Sequence, residues 1–424
     1  MSLGFYIIMA AQFFSSLADN ALLVGAIALL MESNSPPWLT PYLKFFFVVS
    51  YVVLAPYVGA FADRLPKGHV MFASNTVKIA GCALMLFGFN PLAAYALVGL
   101  GAAAYSPAKY GILTEYLPPS KLVAANGWIE GLTVASIILG TVLGGLLISQ
   151  RVAARLLGID VPHLDTGIDT PAEAAIAVIM TVYGIAAMFN LYVPRTGAPL
   201  KPLESPAGTA IDFYHCCARL WKDRLGQISL AVTTLFWGAG ATLQFIVIEW
   251  ANTAFDMNLS RASVLQGVVA LGVAIGAVLA SLRVTLDRSV RVIPLGAAMG
   301  VVVIAMIFVR NLGLAIPLMV LIGALAGFFV VPMNALLQHR GYNLMGAGRS
   351  IAVQNFNENL SILAMIALYS ALLELGLSIY EVIVIFGAFV ALAMALVMRW
   401  FELNRRRHGA EIEAMLAFAR AEKP

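Results

Sequence analysis

The feature that most constrains this chain is a series of long apolar runs, the clearest being Val382–Met398, VIVIFGAFVALAMALVM. Such a run has no polar side to turn toward water. Strands of a membrane barrel alternate apolar and polar residues, and this run does not alternate. A helix of roughly 20 apolar residues crosses a bilayer with its backbone hydrogen bonds satisfied internally, so a membrane-spanning helix is predicted. Composition extends the conclusion to the whole chain: 61% of residues are hydrophobic and 11% charged, against about 25% charged in a soluble domain. No water-facing surface can be built from that, and the expected fold class is all-α integral membrane.

Apolar runs lie at about 5–31, 43–62, 69–90, 92–113, 122–149, 172–194, 226–252, 263–282, 292–309, 312–338, 351–374 and 378–401. These are twelve candidate transmembrane helices. The longest polar interruption, Arg195–Leu225, begins with the Pro/Gly-rich RTGAPLKPLESPAG and divides them six and six. The domain boundaries follow: an N-terminal six-helix half at 1–194, a cytoplasmic central loop at 195–225, a C-terminal six-helix half at 226–401 and a cytoplasmic tail at 402–424. This layout resembles the major facilitator superfamily, whose halves are themselves built from repeats. The N-terminal MSLGFYIIMAAQ lacks a basic region and a small-residue cleavage site, so no removable signal peptide is expected.

Most lysines and arginines fall on the side that carries both termini; only Lys44, Arg151, Arg155, Arg261 and Arg310 fall on the other. The positive-inside bias therefore puts both termini in the cytoplasm. The halves also echo one another. Span 4 ends in YSPAKYGIL and span 10 in VVPMNALLQ, matching Pro107 and Lys109 with Pro332 and Asn334. The next spans open with LVAANGWIE and IAVQNFNEN, pairing Asn126 with Asn355 and setting Glu130 beside Glu358.

Between spans 2 and 3, GAFADRLPKG resembles the superfamily signature G-x-x-x-D-R-x-G-R/K-R/K, with Pro66 in place of a glycine. The resemblance implies a conformational latch made by Gly59, Asp63, Arg64 and Lys67, with glycine permitting close helix approach and the carboxylate near a helix N-terminus. The corresponding loop of the second half, RVTLDRSVR, keeps basic residues but little of the pattern. In span 5, GTVLGG has Thr141 where drug/proton antiporters carry proline, and it reads as close helix packing.

Charged side chains inside the spans carry the functional signal, because an ionised group at bilayer depth costs about 2.5–3.5 kcal/mol on insertion scales. Asp19 lies mid-span in AQFFSSLADNALL, with Asn20 beside it and Gln12 and Ser16 at helical spacing. It is either the acceptor of an interhelical pair or part of a substrate path. Lys78 shares a face with Asn75; Glu130 shares one with Asn126 and Thr133; Glu358 shares one with Gln354, with Asn355 and Asn359 alongside. Lys109 follows Pro107 in AAYSPAKYG, four residues after Tyr105. Its ammonium either snorkels to the interface or meets an anion such as phosphate in a cavity. Asp19 and Lys109, of opposite sign, would together suit a zwitterionic headgroup.

No histidine is followed five residues later by aspartate, and no G-x-x-x-x-G-K-S/T is present, so neither acyltransferase chemistry nor direct ATP use is expected. Cys82, Cys216 and Cys217 lack metal-ligand spacing; no metal, cofactor, disulfide or nucleic-acid partner is expected.

Across nearly all of the chain, AQFFSSLADNALL, YVVLAPYVGAFADRLPKGHVMFASNTVKIAG, GLGAAAYSPAKYGIL, FWGAGATL, GFFVVPMNALLQHRG and IAVQNFNEN look like the lysophospholipid transporters of Gram-negative inner membranes. The resemblance implies flipping of lysophosphatidylethanolamine and lysophosphatidylglycerol from the outer to the inner leaflet by alternating access. There an acyl-acyl-carrier-protein-dependent lysophospholipid acyltransferase, the implied functional partner, re-acylates them. Asp19 and Lys109 are the matching functional positions. Within ATLQFIVIEW, Gln244 stands where some relatives have arginine and Glu249 adds an acid, leaving span 7 without a basic headgroup contact. The competing reading is a proton-coupled small-solute or drug exporter using Asp19 or Glu130.

Overall fold

The structure, a computed structural model, describes residues 2–33, 40–158, 168–202, 205–257 and 259–420. Fifteen α-helices are found among them: α1 Leu3–Glu32, α2 Thr40–Val53, α3 Ala55–Arg64, α4 Lys67–Leu86, α5 Pro91–Tyr116, α6 Leu122–Leu147, α7 Gln150–Leu157, α8 Pro171–Leu191, α9 Pro206–Lys222, α10 Gly226–Phe255, α11 Leu259–Arg283, α12 Ile293–Ile304, α13 Leu312–Met345, α14 Ala347–Glu374 and α15 Ile379–Arg420.

Ten segments are long and apolar enough to cross a membrane, and α2 with α3 forms an eleventh, bent by 65° at the break before Pro56. Helix α5 is long enough to be a further one. Its 26 residues rise about 39 Å at 1.5 Å each, more than the ~30 Å of a hydrocarbon core. Tyr105, Ser106, Pro107 and Lys109 interrupt its apolar run. The helices thus accommodate the twelve expected crossings.

Two compact units are resolved. One comprises Met1–Glu115, Ala135–Phe213 and Ala347–Ala352; the other comprises Tyr116–Val134, Tyr214–Gly346 and Val353–Pro424. The first turns of α6 therefore pack with the second unit, and those of α14 with the first. In the first unit, α8 packs on α1 and on α4 around buried Leu22, Cys82, Tyr95, Ile176 and Tyr183. The Gly140 of GTVLGG lies against α1, where an added Cβ would meet the Leu17 carbonyl oxygen at 2.5 Å and the Asn20 Cβ at 2.8 Å. That is the close approach expected of a small-residue seam. In the second unit, α11 packs on α13 and α12 on α15.

The central loop contributes α9, a helix outside the candidate spans. Residues 159–167 of the insertion Arg151–Pro171 and the last four residues of the tail lie outside the described residues. The rest of the tail is helical beyond a break at His408. It returns to the second unit through Arg420 Nε to Asp287 at 2.8 Å and through Phe418 against the His339 ring.

Candidate functional site

Three polar clusters are built into these helices. The first lies in the first unit between α1, α4, α5 and α8. Lys78, 1% exposed, donates to both carboxylate oxygens of Asp19 at 2.8 and 2.9 Å, and the Asp19 side chain keeps 21% of its surface open. The Tyr183 hydroxyl donates to Asp19 Oδ1 at 2.7 Å. Lys78 also donates to Ser15 Oγ at 3.1 Å, and Ser15 donates to Asn75 Oδ1 at 2.9 Å. The ammonium stands 4.9 Å from the Tyr105 ring centre and 5.4 Å from that of Tyr183. Two aromatic faces and a bidentate carboxylate surround the ammonium with compensating partners.

The expected stripe Gln12–Ser16–Asp19 divides here. Ser15, not Ser16, joins Asp19 at Lys78. The Ser16 hydroxyl accepts from Ser136 of α6 at 2.8 Å, and the Ser16 carbonyl accepts from Asn20 at 2.8 Å. At 3.6 residues per turn, positions 12, 15 and 19 share one face and positions 16 and 20 the next. The cation on Asp19 is Lys78. Lys109, half-buried on α5, has its ammonium 4.4 Å from the Tyr110 ring centre.

The second cluster, also within the first unit, gathers residues of the expected latch. Asp63, at the end of α3, accepts from the backbone N–H of Gly348 at 2.6 Å and of Arg349 at 3.1 Å, the first turn of α14. These are N–H groups a helix cannot satisfy internally, and the helix dipole favours the carboxylate there. Lys67 pairs with Asp63 at 2.9 Å and with Glu115 at 3.1 Å; Arg349 pairs with Asp212 at 2.6 Å. Gly59 lets α3 and α14 touch, since a Cβ there would fall 2.7 Å from that of Ala352. Arg64, the remaining residue of the expected latch, is exposed and takes no part in these bonds. Glu115, Asp212, Gly348 and Arg349 are members that sequence reasoning did not single out. Glu115 was the detectable one, an acid at the end of span 4.

The third cluster belongs to the second unit. Asn126 of α6 and Gln338 of α13 exchange two amide hydrogen bonds, each 3.0 Å. Gln354 of α14 donates to Asn334 Oδ1 at 3.1 Å and to Glu358 Oε1 at 2.8 Å. Glu130, Asn355 and Glu358 are all buried. Gln244 is exposed on α10, and its backbone carbonyl is engaged by Gln266 at 2.8 Å. Aligning Pro107 with Pro332 sets Glu115 opposite Arg340. Each anchors the end of its helix, Glu115 to Lys67 at 3.1 Å and Arg340 Nε to Asp223 at 3.1 Å, with the signs exchanged.

The profile of the Major Facilitator Superfamily matches residues 8–364. The lysophospholipid transporter LplT of Yersinia enterocolitica serotype O:8 / biotype 1B (strain NCTC 13174 / 8081) is 42% identical over 381 residues, covering 89% of each chain. LplT of Yersinia pestis (strain Pestoides F) is 42% identical over 377 residues, covering 88% of each. Among solved structures, the transporter FucP in its outward conformation superposes with a TM-score of 0.70 at 13% identity, over 95% of this chain and 98% of that one. A bacterial homologue of the iron transporter ferroportin, in an outward-facing state, gives 0.69 at 15%, over 94% and 99%. At such identities these two speak for the fold alone.

Proposed function

This chain belongs to the lysophospholipid transporter family within the major facilitator superfamily, and from that membership we propose that it moves lysophospholipids from one leaflet of a membrane to the other. The substrate is chiefly lysophosphatidylethanolamine and lysophosphatidylglycerol. The direction is outer to inner leaflet of a bacterial inner membrane, with both chain termini cytoplasmic. A lysophospholipid acyltransferase that draws on acyl-acyl-carrier protein consumes what arrives.

A lysolipid has one acyl chain, which can stay among lipid tails, and a charged head, which cannot cross ~30 Å of hydrocarbon unaided. A carrier must therefore supply polar groups at depth and little else. The observation that carries the reading is the Asp19 carboxylate, held in place by Lys78 and Tyr183 yet left with 21% of its side-chain surface open. Lys78 pairs with one side of it, and its open edge can receive the ammonium of an ethanolamine head. Lys109 supplies the point charge for the phosphate, with Tyr105 and Asn20 of the same unit as further headgroup contacts.

Movement is by alternating access. The Asp63 latch on the first turn of α14 holds one state, and releasing the N–H groups of Gly348 and Arg349 permits the other. Exchange down a gradient, with re-acylation removing the product, needs no energy source of its own.

The test is leaflet exchange of labelled lysophosphatidylethanolamine by the purified chain in liposomes. Exchange is expected in the wild type and is lost in Asp19→Asn and Lys109→Ala. Wild-type exchange by Lys109→Ala at equal incorporation overturns the phosphate contact, and no exchange by the wild type overturns the lipid reading.

A further inference from the structure

The residues gathered at the proposed latch have a second set of partners, on the central loop. Thr196 donates its hydroxyl to Glu115 Oε2 at 2.8 Å, while Lys67 holds Glu115 Oε1 at 3.1 Å. The backbone N–H of Lys201 donates to the carbonyl oxygen of Asp63 at 3.0 Å, while the Asp63 carboxylate accepts from the first turn of α14. Asp212 of α9 accepts from Arg349 Nε at 2.6 Å, while Arg349 Nη1 stands 3.4 Å from Asp63 Oδ2. Glu115, Asp63 and Arg349 thus each face the latch on one side and the loop on the other, and all of these residues lie in the first unit.

Holding a connector in one path costs conformational entropy at every residue. The composition of this segment lowers that cost. Pro199 and Pro202 fix their own φ and disfavour helical backbone at Ala198 and Lys201, which leaves fewer unfolded conformations to lose. Gly197, at φ +70°, lets the chain turn directly after Thr196, and the Ala198 N–H donates to the Thr196 hydroxyl oxygen at 3.4 Å. The Thr196 hydroxyl is therefore oriented by its own loop. Its acceptor is no surface group, since the Glu115 side chain is 7% exposed and that of neighbouring Asp63 5%. Bonds there are costly to leave unmade, unlike the exposed ion pairs of the tail at Glu402.

We propose that the central loop is part of the latch itself: Thr196 and Asp212 are positioning residues that hold Glu115 and Arg349 in place around Asp63 and Lys67, and so set how long the latched state lasts. Lys201 adds a backbone bond that pins the end of α3. This role presupposes the latch reading of Asp63 and is independent of the headgroup contacts at Asp19 and Lys109.

The experiment is hydrogen–deuterium exchange on the purified full chain in one detergent, followed in peptides that contain the backbone N–H groups of Gly348 and Arg349. Asp63→Ala, which removes their acceptor, sets the exchange rate of the released state. Thr196→Val and Asp212→Ala each raise exchange there about tenfold over wild type, the loss of one hydrogen bond to a charged group, and the double variant approaches Asp63→Ala. Thr196→Ser, which keeps the hydroxyl, stays at the wild-type rate. The rise is local: peptides of α1 and α8 around Leu22 and Ile176 exchange as in the wild type. Wild-type exchange in Thr196→Val and Asp212→Ala, alongside fast exchange in Asp63→Ala, overturns the proposal and leaves the latch standing. No rise in any variant, Asp63→Ala included, overturns the latch and this role with it. An equal rise throughout the first unit also overturns the proposal, since it makes Thr196 and Asp212 supports of the fold alone.

Discussion

Replacing Lys78 by methionine keeps the length of the side chain and removes its charge. Asp19 then loses two hydrogen bonds of 2.8 and 2.9 Å and its counter-ion, and Ser15 loses a donor at 3.1 Å. Breaking one side of a buried pair costs about 3–5 kcal/mol. The open 21% of Asp19 lets water reach the stranded carboxylate, which places the cost at the lower end, about 3 kcal/mol, or a factor of more than 100 in the folding equilibrium. Asp19→Asn should cost less, because the Tyr105 and Tyr183 rings still face the stranded ammonium and cation–π contacts are worth about 0.5–2 kcal/mol. The double variant Asp19→Asn/Lys78→Met leaves no uncompensated charge and should recover about 2 kcal/mol relative to the sum of the singles. Thermal or denaturant stability of the four proteins in one detergent closes the cycle. Additive losses would refute the reasoning, since they would mean that the two charges do not depend on each other. Transport by the double variant then separates roles. A stable but inactive protein places Asp19 on the substrate path, whereas a stable and active one makes the pair purely structural.

The latch gives a second prediction: Gly348→Val should weaken it, because a Cβ at 348 would stand 2.6 Å from Asp63 Oδ1, and cysteine-accessibility labelling along α3 and the first turn of α14 should increase several-fold. Asn126→Leu strands the Gln338 amide and should destabilise by about 1–2 kcal/mol, while adding Gln338→Leu should restore most of the loss in the same unfolding assay. In α9, burial and the neighbouring Cys216 push the Cys217 thiol up to about 11. A protein with Cys217 as its single cysteine keeps the burial, the larger of the two causes, and should react slowly with maleimide at pH 7, its rate rising close to tenfold per pH unit toward pH 9 as the thiolate fraction does. Gly140→Leu should prevent α6 from seating on α1 and reduce folded yield, measured by size-exclusion chromatography after extraction.

The helical, membrane-spanning class of this protein was legible in the apolar runs themselves, because length and unbroken apolarity leave the backbone no other way to satisfy itself in lipid. The resemblance of GAFADRLPKG to the superfamily signature drew attention to Gly59 and Asp63, and both meet the first turns of α14. Helix α5 shows the limit of that signal, since the residues that interest a functional reading, Tyr105 to Lys109, are the ones that dilute its apolarity. Partnership was not legible. Asp19, Lys78 and Lys109 stood in the sequence as three isolated charges, and spacing along α1 suggested Ser16 where Ser15 is the residue used. Tyr183, 164 residues from Asp19, and Arg349, 286 from Asp63, carry no local mark of their roles. The sequence by itself determined which segments must leave water and which of them carry a charge, because transfer into lipid is a property of each segment alone. Only the tertiary structure decided which charge meets which, because that depends on the rotation of each helix about its axis, and packing against neighbouring helices sets it.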